Sequence, residues 1–147
     1  MTGPPTSVLF VCGENALRSP MAEGVAKHFY GDRIYVDSVG VREGELDPMA
    51  VDVMAEIGID ISGHRPKRLD DLMDTSFDLV ITLTPEAQHR AIELTRTSAA
   101  EVEYWPMPDP SVFESNREAR LAAYRELREI LLARIRDRLG DPRIHNA

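Results

Sequence analysis

"VLFVCGENALRSPMAEG", residues 8–24, is the stretch on which the fold turns. It opens as an apolar run of valine, leucine and phenylalanine, the pattern of a buried strand, and ends in Cys12, the only cysteine of the chain. Five residues separate Cys12 from Arg18, and Ser19-Pro20 then reads as a helix cap followed by proline at the first helical position. A buried strand that passes through a short loop straight into a helix is the first half of a parallel βα unit.

The same alternation continues along the chain. Strand-like runs are expected at 7–12, 34–39, 77–83 and 101–105. "MAEGVAKHFY" carries the first helix to Gly31. Asp47-Pro48 repeats the cap, with Ala50, Val53, Met54 and Ile57 on one face before Gly58 stops the helix. Thr84-Pro85 is a third such start. From about Ser115 to Leu139, the residues Leu121, Tyr124, Leu127, Leu131, Ile135 and Leu139 form an apolar stripe among Arg and Glu, a surface helix with a solvated face. Near-continuous apolar strands alternating with helices predict an α/β fold: one doubly wound domain over 1–147, with a central four-stranded parallel sheet covered on both sides. About 1–6 and 140–147 are expected to be frayed termini.

Bulk properties narrow the function. A chain of 147 residues, 43% apolar and 29% charged, is an ordinary globular domain, able to bury about 70% of its unfolded surface. The formal charge of −8 repels phosphate backbones, so neither a nucleic-acid nor an anionic-membrane partner is expected. No apolar run is long enough to span a bilayer, and "MTGPPTS" has no secretory pattern, so the cytoplasm is the expected location. One cysteine excludes an internal disulfide framework. His28, His89 and His145 have no ligand-like spacing, and no metal or other cofactor is expected.

In doubly wound folds ligands bind beyond the carboxyl ends of the strands, where Cys12 stands. A loop wrapping back into a helix start turns several backbone N–H groups to one point, and the helix dipole adds positive charge there. Such a nest holds an oxyanion and favours a thiolate at its mouth. Arg18 offers two parallel donors to a phosphate-like group, and the Ser19 hydroxyl can donate to the sulfur besides capping the helix. A lone cysteine at a strand end is more often packing than chemistry. The added Arg18, Ser19 and Pro20 turn the reading to nucleophilic attack on phosphorus. Asp109, in "PMPDPS" after the fourth strand, is either a turn aspartate or an acid facing Cys12; with the cysteine loop present the acid is favoured. His64 reads equally as a loop-holding donor or a satisfied surface histidine. The run "HRPKR" (64–68) is either an anion-drawing rim or a solvated face. Trp105 reads as core or rim packing.

These residues resemble the low-molecular-weight protein tyrosine phosphatase family, whose signature is a Cys-x5-Arg-Ser loop after the first strand. The resemblance extends through "VDSVG", "GIDISGHRPKRL", "FDLVITLTPE" and "MPDPS". It implies a flavodoxin-like, phosphatase I-type arrangement and a metal-free hydrolysis of phosphate monoesters through a cysteinyl-phosphate. Position by position it implies Cys12 as nucleophile, Arg18 as clamp and Asp109 as general acid. Gly13, Glu14, Asn15, Ala16, Leu17, Arg18 and Ser19 would form the phosphate-binding loop, held by Asn15, Ser19, Ser38 and His64. The implied partners are a phosphorylated protein or small phosphate ester, and phosphate or another oxyanion in the site.

Departures from the family bear on the substrate. Its phosphotyrosine-directed members usually carry aromatics in the loop after the second strand, whereas "VREGEL" (41–46) has none. Ser111 and Val112 follow Asp109-Pro110, and Phe113 is the first ring. Leu17 stands where the family often has a second cysteine, so Cys12 has no protective partner. Glu14 places a carboxylate in the loop, expected to face solvent. These features resemble the related arsenate reductases, whose thioredoxin-coupled members need two more cysteines; an outside thiol such as glutathione or mycothiol would then be required. Three readings follow: a cysteine phosphatase for phosphotyrosine or small aryl phosphates, an arsenate reductase coupled to an external thiol, and a non-catalytic oxyanion-binding module.

Overall fold

The computed structural model describes residues 4–72 and 76–142. Four strands, β1 (Ser7–Cys12), β2 (Tyr35–Gly40), β3 (Leu79–Thr82) and β4 (Glu101–Tyr104), form one sheet in the order β2-β1-β3-β4. Every pairing is parallel, with Cys12 opposite Gly40 and Val11 opposite both Val39 and Thr82. Four helices, α1 (Arg18–Tyr30), α2 (Pro48–Ala55), α3 (Pro85–Leu94) and α4 (Arg117–Leu139), connect and cover it.

Pleating divides β1 between two cores. Val8, Phe10 and Cys12 point into the larger one, built with α1, α2 and α4; Leu9 and Val11 point to the smaller one, with Ala87 and Ala91 of α3. Buried on both faces, these strands need no polar alternation, which is why they read as continuous apolar runs. The stripe of α4 is buried at Leu121, Tyr124, Leu127, Leu131 and Ile135, and Leu139 packs on it partly buried. The chain leaves β1 toward β2 on one side and later adds β3 on the other. The carboxyl end of β1 is therefore the switch point of the sheet.

Two of the expected caps form as written. Asp47 accepts from the Met49 N–H at 2.8 Å, and Thr84 accepts from the Ala87 N–H at 3.0 Å. Gly58, at φ +80°, closes α2 with paired bonds, Gly58 N–H to Ala55 O and Ile59 N–H to Met54 O. The start of α1 differs from expectation. Ser19 is not its cap; the helix already begins at Arg18, after Leu17, and no side chain caps it. The Ser19 hydroxyl is turned to the Cys12 sulfur instead. Strand limits also shift by one or two residues, β2 ending on Gly40 and β3 shortening to four residues.

Residues 1–3 and 143–147 of the expected frayed ends, His145 among them, lie outside the described residues. At the described margins the chain is held: Thr6 donates through N–H and hydroxyl to Asp78 at 2.8 Å each, and the Tyr30 hydroxyl donates to the Gly140 carbonyl. No helix among the described residues is long and apolar enough to cross a membrane.

Candidate active site

The loop between β1 and α1 is shaped from outside by the segment that follows β2. Val41, Arg42, Gly44 and Asp47 donate their N–H groups to the carbonyls of Cys12, Gly13, Glu14 and Ala16, at 3.0, 2.7, 2.9 and 2.9 Å. A trans peptide points its C=O and N–H in opposite directions. With those four carbonyls drawn outward, the N–H groups of Gly13, Glu14, Asn15 and Leu17 turn to the inside of the loop. One of them is seen there directly: the Asn15 N–H meets the Cys12 sulfur at 3.2 Å. The first turn of α1 adds its own unpaired N–H groups and the positive end of the helix dipole.

Asn15 is the keystone of the loop. It is fully buried and left-handed, with φ +56°, a conformation asparagine tolerates better than most side chains. Its amide uses all four hydrogen-bonding positions. Oδ1 accepts from the Lys67 N–H at 3.0 Å and from His64 Nε2 at 2.9 Å; Nδ2 donates to Ser19 Oγ at 2.9 Å and to Ser38 Oγ at 3.0 Å. The backbone donor Lys67 fixes which end is oxygen, so His64 must carry its proton on Nε2. Each serine, having accepted from Asn15, spends its single hydrogen elsewhere. Ser38 donates to Glu23. Ser19 has the Cys12 sulfur at 2.8 Å and the Val39 carbonyl at 3.5 Å, so the sulfur receives it. Cys12 Sγ thus accepts from both Ser19 and Asn15.

Behind this network Glu23 also meets Lys27 at 2.6 Å and faces His64 Nδ1 at 3.6 Å, and Lys67 pairs with Asp37 at 2.7 Å. Burial holds His64 below the ordinary histidine range, outweighing the nearby Glu23 carboxylate, and Lys67 pushes the same way. A hollow of about 420 Å³ beside α1 reaches Glu23 and His64 from the far side of the loop, away from the sulfur.

Cys12, Arg18 and Asp109 line one cleft of about 320 Å³, together with Gly13, Glu14, Ala16, Leu17, Arg42, Ser111 and Val112. Arg18 is held by the Met107 carbonyl at 3.2 Å and lies 3.6 Å from Asp109 Oδ2. The turn and acid readings of Asp109 are compatible. Its Oδ1 accepts from the N–H and hydroxyl of Ser111, capping the turn at 110–112, while Oδ2 faces the cleft. Glu14 is exposed and leans against Gly44. The first ring after Asp109, Phe113, is 46% exposed, and Val112 is 74% exposed. Among the described residues no group of three or more His, Cys, Asp or Glu is placed to hold a metal ion.

Several contributors were missed in the sequence. Gly40 is one: a Cβ there would stand 2.6 Å from Asn15 N and from Glu14 C, and 2.5 Å from Arg42 O. Its place after "VDSV" was the available signal. In the strap 41–47, residues 41–46 read as a loop without aromatics and Asp47 as a cap; their hold on the active loop is hidden, because backbone donors leave no mark in side-chain chemistry. Glu23 and Lys67, which anchor Ser38 and Asn15, look like ordinary helix and loop charges.

The family model of low molecular weight phosphotyrosine protein phosphatase matches residues 7–138. Arsenate reductase of Bacillus subtilis (strain 168) is 33% identical over 130 residues, which is 88% of this chain and 92% of that protein. A solved arsenate reductase in its phosphate binding state aligns over 90% of this chain and 95% of its own, with TM-score 0.71 and 29% identity. The tyrosine phosphatase AmsI of Erwinia amylovora aligns over 88% and 87%, with TM-score 0.73 at 19% identity, a likeness of fold.

Proposed function

The chain belongs to the low molecular weight phosphotyrosine protein phosphatase family, and from that premise we propose that it is a cysteine-dependent phosphatase for phosphotyrosine or small aryl phosphate monoesters. One observation carries the reading: a sulfur that accepts two hydrogen bonds shares a cleft with a guanidinium and a carboxylate.

The chemistry follows from that set. The inward N–H groups and the Arg18 fork hold the three non-bridging oxygens and stabilise the charge that spreads over them. The Cys12 thiolate attacks phosphorus, the P–O bond breaks, and protonated Asp109 gives its proton to the leaving oxygen. Alcohol or phenol departs, leaving a cysteinyl-phosphate. Asp109, now a carboxylate, takes a proton from water as the oxygen attacks phosphorus, and the S–P bond breaks to return the thiolate and free phosphate. The positive charge comes from Arg18 and backbone donors throughout. The solved arsenate reductase in its phosphate binding state supports an oxyanion in the ring.

Turnover of an aryl phosphate in the presence of chelator tests the proposal. Cys12→Ser is expected to abolish it, and Asp109→Ala to slow it by about 10²–10⁴-fold. A reduced, folded protein without such turnover would overturn it.

The arsenate reductases among the relatives, and a strap without aromatic walls, favour a second reading. Reducing arsenate to arsenite takes two electrons, and one cysteine cannot supply both by an internal disulfide. An external low-molecular-weight thiol must then complete the exchange. Arsenite formation assayed with glutathione and with mycothiol separates this reading from the first.

A further inference from the structure

Arg42 is the second cation of the cleft, and nothing in the reaction as derived uses its side chain. Its backbone belongs to the strap, through the N–H bonded to Gly13 O at 2.7 Å. Its guanidinium lies over the loop residue next to the nucleophile, Nη2 standing 3.3 Å from the position a Cβ on Gly13 would take. The other end, Nη1, is 2.5 Å from Glu86 Oε2, near the start of α3, and both side chains are about half exposed. The remaining charged residues of the cleft are Arg18, which serves the phosphate, and the carboxylates Glu14 and Asp109.

On the phosphatase reading above, we propose that Arg42 is a specificity-determining residue, selecting phosphate monoesters that carry a carboxylate beside the phosphate. Glu86 pairs with the guanidinium and marks where a substrate's acid would bind. The fork of an arginine takes a carboxylate edge-on, and exchanging the exposed Glu86 for a substrate carboxylate trades one ion pair for another at little cost. Elsewhere in the cleft a substrate acid meets Glu14 and is repelled. In a protein of charge −8 this local cation, beside Arg18 in the cleft, favours the approach of an acidic substrate. An arginine also suits a cleft without aromatic walls, because it fixes the leaving group by charge where stacking is absent.

The test compares isosteric pairs within each enzyme variant, so that any general change in activity cancels. The small-molecule pairs are 3- and 4-carboxyphenyl phosphate against the corresponding carbamoylphenyl phosphates. The peptide pair is a phosphotyrosyl peptide with Glu or Gln beside the phosphotyrosine. Wild type is expected to favour the acid by about three- to fivefold in kcat/KM, the range of a half-exposed ion pair. Preference in the small pairs alone assigns the site to small esters; preference in the peptide pair assigns it to proteins.

Arg42→Gln should bring the ratio to one, Arg42→Lys should keep part of it, and Glu86→Gln should raise it by freeing the guanidinium. The preference should also shrink as salt is added. A wild-type ratio of one in every pair, or a ratio unchanged in Arg42→Gln, overturns the proposal. If wild type hydrolyses none of the esters, the phosphatase reading falls by itself. Binding of the same pairs to Cys12→Ser then decides Arg42: tighter binding of the acid supports it, and equal or absent binding overturns it.

Discussion

At the scale of single residues, Asn15 and His64 carry more of the site than their chemistry suggests. Replacing Asn15 by alanine removes four hydrogen bonds at once and strands the Ser19, Ser38 and His64 groups and the Lys67 N–H in a buried place. The expected cost is about 2–4 kcal/mol. Glycine loses the same bonds but accepts φ +56° without strain, so Asn15→Gly should be about 1 kcal/mol more stable than Asn15→Ala. Urea denaturation of the two variants checks this, and equal midpoints would show that the left-handed backbone relaxes in both. His64 gives a pH dependence of definite sign. Its proton affinity is lowered in the folded protein, chiefly by burial, so the unfolded chain binds the extra proton more readily. The stability tied to neutral His64 is then complete above the ordinary value of 6.5 and is lost as pH falls through the lowered one. His64→Gln keeps a donor for Asn15 and does not titrate. Between pH 8 and pH 5 wild type should lose stability relative to this variant; parallel curves would place the acid sensitivity elsewhere.

At the scale of elements, the active loop is a product of two strand ends and a strap, and this explains what the sequence showed and what it hid. Cys12, Arg18 and Asp109 were legible because each is a distinctive side chain at the carboxyl edge of a recognisable βα unit. Asp47 and Thr84 were legible as caps because capping is local. Of the two uses expected of Ser19, the bond to the Cys12 sulfur forms and the cap does not: a serine before proline has a strong local use, but the fold turns the hydroxyl to the sulfur while the Asn15 amide donates to its oxygen. Gly40 was invisible as a site residue, since its contribution is the lack of a side chain where Asn15, Glu14 and Arg42 crowd the end of β2. Gly40→Ala would force a Cβ against the Glu14–Asn15 peptide and the Arg42 carbonyl, so the loop must shift. We expect a loss of about 1–3 kcal/mol and a fall in aryl phosphate turnover. Gly63, with nothing within 4 Å of a built Cβ, is the control. Gly63→Ala should be neutral or slightly stabilising, because alanine restricts the unfolded chain. Thermal melts and turnover of the pair separate crowding from a general intolerance of alanine.

At the scale of the whole molecule, the decisive number is the count of one cysteine in 147 residues. On the phosphatase reading Cys12 attacks phosphorus as a thiolate, and such a thiolate also attacks peroxide, giving first a sulfenic acid. A second cysteine in the chain would trap that product as a disulfide and protect it. Here Leu17 stands where the family often carries a second cysteine, and Leu17 is buried in the larger core. The sulfenic acid therefore has two fates: further oxidation, which a reductant does not reverse, or capture by a thiol from solution. Exposure to excess peroxide should inactivate the protein in a way that dithiothreitol added afterwards does not restore. With glutathione present during oxidation, a mixed disulfide should form at Cys12, adding the mass of one glutathione, and dithiothreitol should return most of the activity. Phosphate bound over the sulfur should slow both outcomes, because it covers the ring through which peroxide must pass. Full recovery without any added thiol would mean that some other group of the chain, such as a backbone nitrogen, closes on the sulfur, and the dependence on an outside thiol would not hold.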